Sequence, residues 1–364
     1  MLDVMHERID LVDVAKGMSI LFVAFHHSAL SSMCTDVSHA MGLFRMPLFF
    51  FLSGVFFSTV RSPMTFFIHK TDALLKPYFA TMGFLLITTI LLWPDDALKE
   101  TLGIFYATGS TIKWTPMWFL PHLWALFMGS YLMVRLLCLD QRSSWFRFTF
   151  IVCLIVLGVI CQDLFRDTSF KLFGHEYMLP GLPFSVDIIF ISMTFFLSGH
   201  FLNRQVKSFI PNPALLVISI GVFFAIVVFT QARVDMNLRI YQEPVLATMA
   251  ATSGIYLMMS CAYYLSLYPW SKGFFKAFGS ASLFILIFHD FIGQKIQTLL
   301  DQLLSTEWIL LTAIVSYWLS VTLPLLVKFI FSKSRFLSLL YFPLSLHKRE
   351  RNQIEQPVPV GKIP

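Results

Sequence analysis

Leu11-Val-Asp-Val-Ala-Lys16-Gly-Met-Ser-Ile-Leu-Phe-Val-Ala-Phe-His26-His27-Ser28 is an apolar stretch with a cation near one end and an imidazole near the other. A helix turns about 100° per residue. The step from Lys16 to His27 therefore returns the chain to within about 20° of the same face, about 16 Å further along the axis. Ionisable groups stacked on one side of a membrane helix are costly to hold there, and they mark a pathway or a reaction site.

The composition around this stretch agrees with a membrane reading. Hydrophobic residues make up 57% of the 364 residues, charged residues only 13%, and the mean hydropathy is +0.72. A soluble domain carries about 25% charged residues. The apolar runs are long and do not alternate with period two, which predicts an all-α polytopic helical bundle and not a β-barrel. At roughly 20 apolar residues per span, about ten transmembrane helices are expected, near 12–31, 44–60, 77–93, 116–137, 146–162, 185–202, 213–232, 245–266, 277–299 and 307–331. The first has no small-residue cleavage site and reads as a retained span, not a signal peptide. The five cysteines show neither metal spacing nor a disulfide framework and read as small packing residues.

Charge sets the expected orientation. Alternating the ten spans puts 19 of the 27 Lys and Arg residues on the side of the N-terminus and 8 on the other. The positive-inside rule then places the N-terminus and the C-terminus in the cytoplasm. The formal charge of +6 follows from this bias and calls for no nucleic-acid partner. The spans fill residues 1–346, and the polar segment 347–364, with Pro357 and Pro359, reads as a disordered cytoplasmic tail.

In this orientation Lys16 lies near the cytoplasmic surface and His27 in the outer half of the membrane. His122 on the fourth span and His289-Asp290 on the ninth fall at a similar depth. Three histidines on three spans suit a buried polar site. Each also has a plainer reading: a packing histidine for His27 and His122, an interface residue for His289, a loop-facing ring for His26. Asp13, three residues before Lys16, offers a helix-surface ion pair as the plainer account of that lysine. Lys70 and Lys76 also serve to fix topology.

The motifs together resemble acyltransferase family 3, integral-membrane O-acyltransferases, and among them the fucose 4-O-acetylase-like branch. The first helix has the family's basic residue, ten residues, then His, as Lys16 and His27. Met46-Pro47-Leu48-Phe49-Phe50-Phe51-Leu52-Ser53-Gly54 follows in the second span, and Lys70 falls at a basic position ahead of Leu74-Leu75-Lys76-Pro77-Tyr78. Trp118-Phe119-Leu120 opens the fourth span, Phe195-Phe196-Leu197-Ser198-Gly199 lies in the sixth, and Ser282-Leu283-Phe284-Ile285-Leu286-Ile287-Phe288-His289 in the ninth. The likeness covers residues 8–331. Two departures stand out: Arg45 where many relatives have His, and Asp290 where many have Pro.

The resemblance implies transfer of an acyl group, usually acetyl from acetyl-CoA as co-substrate, to a hydroxyl of an exported or lipid-linked glycan. It implies a multi-pass protein of the bacterial cytoplasmic (inner) membrane with no bound cofactor and no metal. The expected roles are His27, His289 and Asp290 in catalysis, Lys16 and Lys70 on the donor, and Arg45, Trp118 and His122 on the acceptor, where Arg45 suits an acidic sugar or a lipid pyrophosphate. A transporter or flippase of a lipid-linked sugar is the competing class, but it predicts Gly- or Pro-broken spans in matched halves, which are absent. Transfer of another acyl group, such as succinyl, is the competing chemistry.

Overall fold

Lipid offers a backbone amide or carbonyl no partner, so apolar stretches of this length are satisfied there only as helices. The structure, a computed structural model, describes residues 10–165, 168–172, 175–178 and 180–344, and it is built mostly of helix. The chain opens with α1 (Asp10–His26), α2 (Ala29–Met33), α3 (Thr35–Val55), α4 (Pro63–Lys70), α5 (Lys76–Leu92), α6 (Ala97–Tyr106), α7 (Phe119–Leu136) and α8 (Ser144–Phe165). A hairpin of β1 (Ser169–Leu172) and β2 (His175–Met178) precedes α9 (Ile189–Phe201), α10 (Asn203–Lys207) and α11 (Pro213–Phe229). A second antiparallel hairpin, β3 (Arg233–Asp235) with β4 (Ile240–Gln242), leads into α12 (Pro244–Ser266), α13 (Pro269–Ser280), α14 (Ser282–Leu303), α15 (Ile309–Lys333) and α16 (Arg335–Tyr341).

Seven stretches among the described residues are long and apolar enough to cross a bilayer: Pro63–Leu92, Thr115–Leu136, Ser144–Phe165, Pro183–Phe201, Pro244–Ser266, Ser282–Leu303 and Ile309–Lys333. The chain is thus an all-α, multi-pass membrane protein. Each of the ten expected spans coincides with a helix, but three fall short of that standard. Helix α11 is apolar and short at 17 residues. Helices α1 and α3 carry Asp10, Asp13 and Lys16, and Asp36, His39 and Arg45. These two polar helices are also central, since Val12, Val14, Ile20, Leu48 and Phe50 have no exposed surface. By contrast α8 and α11 turn Val152, Val156, Ile160, Val217, Phe224 and Val228 outward, as lipid-facing helices do.

Boundaries differ from expectation in two places that matter. The first helix stops at His26, five residues before its expected end, because the chain breaks at His27 and Ser28 (φ −95, ψ 161). The Ser28 hydroxyl and amide both return to the Phe25 carbonyl, at 2.7 and 3.0 Å, closing the last turn. Residues 35–43, expected as a loop, form the first turns of α3, with Asp36 at the positive end of the helix dipole. A single turn of π-helix, Thr71–Leu75, joins α4 to α5, and Trp124 Nε1 donates to Thr71 Oγ1 at 3.0 Å.

The centre is tied by a repeated pentapeptide. Phe50-Phe51-Leu52-Ser53-Gly54 on α3 and Phe195-Phe196-Leu197-Ser198-Gly199 on α9 are the same five residues. A β-carbon at Gly54 would overlap the Phe196 carbonyl oxygen, and one at Gly199 would overlap the Phe51 carbonyl oxygen. The two helices therefore meet backbone to backbone, which only small residues permit. At the expected cytoplasmic end Asp10 receives both Lys276 (2.6 Å) and Lys272 (3.0 Å) of α13. Asp72 and Lys76 pair at 2.6 Å and hold residues 342–344, Lys76 on the Phe342 carbonyl and Asp72 on the Leu344 amide, each at 2.7 Å. The expected tail, 347–364, lies outside the described residues.

Candidate active site

The break after α1 leaves His27 at the helix tip, where its ring opens into a cavity of about 70 Å³. That volume accommodates several water-sized groups. Val23, His26 and His27 form one wall, Arg45, Met46 and Phe49 of α3 a second, and Pro116, Trp118 and Phe119 a third. Leu286 of α14 and the hairpin turn Asp235, Met236 and Asn237 complete it.

His27 packs edge-on between two other imidazoles, with ring centroids 5.2 Å from His26 and 5.2 Å from His289. His289 is 1% exposed, and its Nδ1 lies 2.6 Å from the Ile285 carbonyl and 3.1 Å from the Leu286 carbonyl of its own helix. Carbonyl oxygens only accept, so the single proton of a neutral imidazole sits on Nδ1. The Nε2 lone pair is thereby left bare, and Nε2 has no hydrogen-bond partner among the described residues. The helix backbone, not a carboxylate, sets this tautomer. Asp290, expected in catalysis beside His289, accepts from Gln294 Nε2 at 2.9 Å.

Trp118 reaches the cavity and His122 does not. His122 is fully buried behind Trp118, at 5.4 Å between rings. Its Nδ1 donates to the Phe184 carbonyl (3.2 Å) and its Nε2 accepts from the Ser192 hydroxyl (2.8 Å). With both nitrogens engaged, His122 positions the tryptophan and joins α7 to α9; it has no free atom for an acceptor. The sequence reading could not see this, because depth along a helix does not tell which neighbour a side chain meets.

The hairpin turn was the part missed altogether. Residues 233–242 read as an outer loop, yet they roof the cavity. Val234 and Tyr241, paired across the strands, point inward at 5% and 4% exposure, and His39 of α3 donates to the Ala232 carbonyl at 3.0 Å. Arg239 Nε donates to Asp187 Oδ2 at 2.7 Å, and Asp187 Oδ1 also accepts from the Leu182 amide at 2.8 Å. Gln162 of α8 donates to the Arg239 carbonyl, so three outer segments are stapled together. The only sequence signal was a pair of short strand-like pieces around Met236-Asn237-Leu238-Arg239.

Lys16, the seventh residue of α1, and Lys70, the last residue of α4, lie apart from the cavity. Lys16 Nζ sits 4.3 Å from the centre of the Phe56 ring, and Lys70 Nζ sits 3.3 Å from that of Phe127. Aromatic faces hold such ammonium groups by their quadrupole. Lys16 and Arg61 are each close enough to Lys70 for their charges to act on it. Arg135 joins them through Tyr131, whose hydroxyl receives Arg135 Nη1 (2.6 Å) and donates to the Arg61 carbonyl (2.8 Å). The histidine cavity touches α1 only as far down as Val23 and does not extend to Lys16.

A protein-family model described as an acyltransferase domain matches residues 9–333. No curated protein and no solved structure matches the chain.

Proposed function

The chain belongs to acyltransferase family 3, and on that basis we propose that it is an O-acetyltransferase carrying acetyl from cytoplasmic acetyl-CoA to a hydroxyl of an exported or lipid-linked glycan. The observation that carries this reading is the pair of facing imidazoles, His27 open to a cavity and His289 with a bare Nε2.

The physical problem is one of compartments. The nucleotide of the donor is too highly charged to cross the bilayer, while the resemblance points to an acceptor on or near the far side. A site between the two faces resolves this. The basic group, Lys16 and Lys70 with Arg61, receives the donor phosphates on the cytoplasmic side, to which the Lys and Arg distribution also assigns both termini. An extended pantetheine arm has a length comparable to the ~16 Å that eleven helical residues span, and it is assigned the reach from Lys16 to the histidines.

His27 then takes the proton of the sugar hydroxyl as that oxygen attacks the acetyl carbon. The C–S bond breaks, the same proton passes to the departing thiolate, and the ester and free CoA result. Positioned general-base catalysis of this kind contributes about 10²–10⁴-fold. His289, whose ring centroid lies 5.2 Å from that of His27, is assigned the role of stabilising the imidazolium that forms there. Trp118, held by His122, and Arg45 line the acceptor side. The fucose 4-O-acetylase-like character of the motifs supports a sugar hydroxyl as acceptor, and the family's usual setting supports the bacterial inner membrane.

The decisive experiment follows labelled acetyl from acetyl-CoA into cell-envelope glycan, using membranes that contain wild-type protein or His27→Ala. Label should appear with the wild type and fall to background with the variant. Equal incorporation by both would remove the base assignment.

A further inference from the structure

Arg45 lies on the cavity wall with 7% of its surface exposed, and its Nη1 has no hydrogen-bond partner among the described residues. A guanidinium held this deep is costly unless a negative group completes it. Asp235, the one acid in the lining among the described residues, commits its Oδ1 to the Leu238 amide at 3.0 Å and does not close an ion pair with Arg45. The other titratable groups facing Arg45 are imidazoles, His26, His27 and His289, which bring no negative charge. Met46, Phe49, Trp118 and Phe119 make much of the remaining wall apolar, with Asn237 a neutral polar side chain among them, so an anion there is poorly screened by water and strongly felt.

We propose that Arg45 is the receptor for a single carboxylate carried by a substrate. The carboxylate belongs either to the acceptor, as in a uronic-acid-type sugar, or to the far end of a dicarboxylic acyl chain. This rests on acyl transfer at His27 and narrows it to acidic substrates. The planar fork of arginine matches a carboxylate with two parallel hydrogen bonds. A lipid pyrophosphate fits less well. It would bring two or more charges against one guanidinium whose charge Asp235 already partly balances, and Asp235 opposes two charges more than one.

Three transfer reactions with the wild-type protein in membranes separate the sources. The first pairs labelled acetyl-CoA with a uronic-acid-containing glycan. The second uses the same glycan after its carboxyl groups are reduced to alcohols, and the third pairs succinyl-CoA with that reduced glycan. An acceptor carboxylate predicts that kcat/KM falls at least about tenfold from the first reaction to the second and stays low in the third. An acyl-chain carboxylate predicts that only the third is fast. Arg45→Gln should bring the favoured reaction down to the carboxylate-free level, and Arg45→Lys should recover part of it.

Equal rates in all three wild-type reactions overturn the proposal without recourse to any variant. So does an Arg45→Gln protein that folds and keeps its preference for the carboxylate. Silence in all three reactions counts against acyl transfer itself. The carboxylate site is then decided by the melting temperature of the full-length protein in detergent. Glucuronate or succinate should raise it where glucose does not, and Arg45→Gln should abolish the rise. Indifference of the wild type to both acids overturns the proposal.

Discussion

His27 at the tip of the first helix and His289 in the middle of α14 face one another at 5.2 Å between ring centroids, although 262 positions separate them in the chain. The Nδ1 of His289 is tied to its own backbone, so the atom bare of partners is Nε2. Loss of either ring should lower kcat for acetyl transfer by about 10²–10⁴-fold. Because the pair acts as a unit, His27→Ala with His289→Ala should be little worse than the poorer single variant. Steady-state kinetics with labelled acetyl-CoA reads both effects, and fully multiplicative losses would show that the rings act independently.

Lys16→Ala and Lys70→Ala should each raise KM for acetyl-CoA by about 10- to 100-fold, the usual worth of a charged hydrogen bond, while KM for the acceptor stays put. Added salt should weaken donor binding by the wild type more than by either variant, since screening acts on the charge each variant has lost. An unchanged donor KM in both variants would take the donor role away from these two lysines.

Gly54→Val and Gly199→Val should each destabilise the protein by about 1–3 kcal/mol or more, the cost of overpacking, because the added carbons meet Phe196 and Phe51 backbone oxygens. Gly83→Ala and Gly221→Ala, whose surroundings are open to 4 Å, serve as controls and should leave the melting temperature in detergent nearly unchanged. Equal tolerance at all four positions would mean that α3 and α9 do not meet through their glycines.

Asp187 has no exposed side-chain surface and Arg239 has 10%, so Asp187→Asn or Arg239→Leu breaks a buried pair. Leaving one charge unmatched costs about 3–5 kcal/mol. The expected result is a loosened 233–242 hairpin, seen as faster proteolysis of that segment, together with a raised acceptor KM. The double change Asp187→Leu with Arg239→Met removes both charges and should recover much of the lost stability.

How far the site could be read in advance differs residue by residue. Lys16 and His27 were legible through the motif that carries them, but not as one helical stripe, since α1 stops at His26 and His27 stands in the break beyond it. Trp118 was legible through the motif that carries it. His122 was not, since its sequence position gave its depth and not the Phe184 carbonyl and Ser192 hydroxyl that occupy both its nitrogens. Asp290 next to His289 invited a carboxylate–imidazole pair. On a helix, however, adjacent residues point about 100° apart, and Asp290 turned to Gln294 one turn away.

Residues near one another in the chain thus decided the membrane class and the helical spans. These follow from hydropathy and a 3.6-residue period, both of which act over a few turns. Only the packed bundle decided that His289 stands opposite His27, that Arg45 has no protein counter-charge bonded to its Nη1, and that the 233–242 hairpin roofs them. Those facts depend on which helices lie side by side. Backbone contact at Gly54 and Gly199, with the buried staple of Arg239 on Asp187, settles that by matching surfaces far apart along the chain.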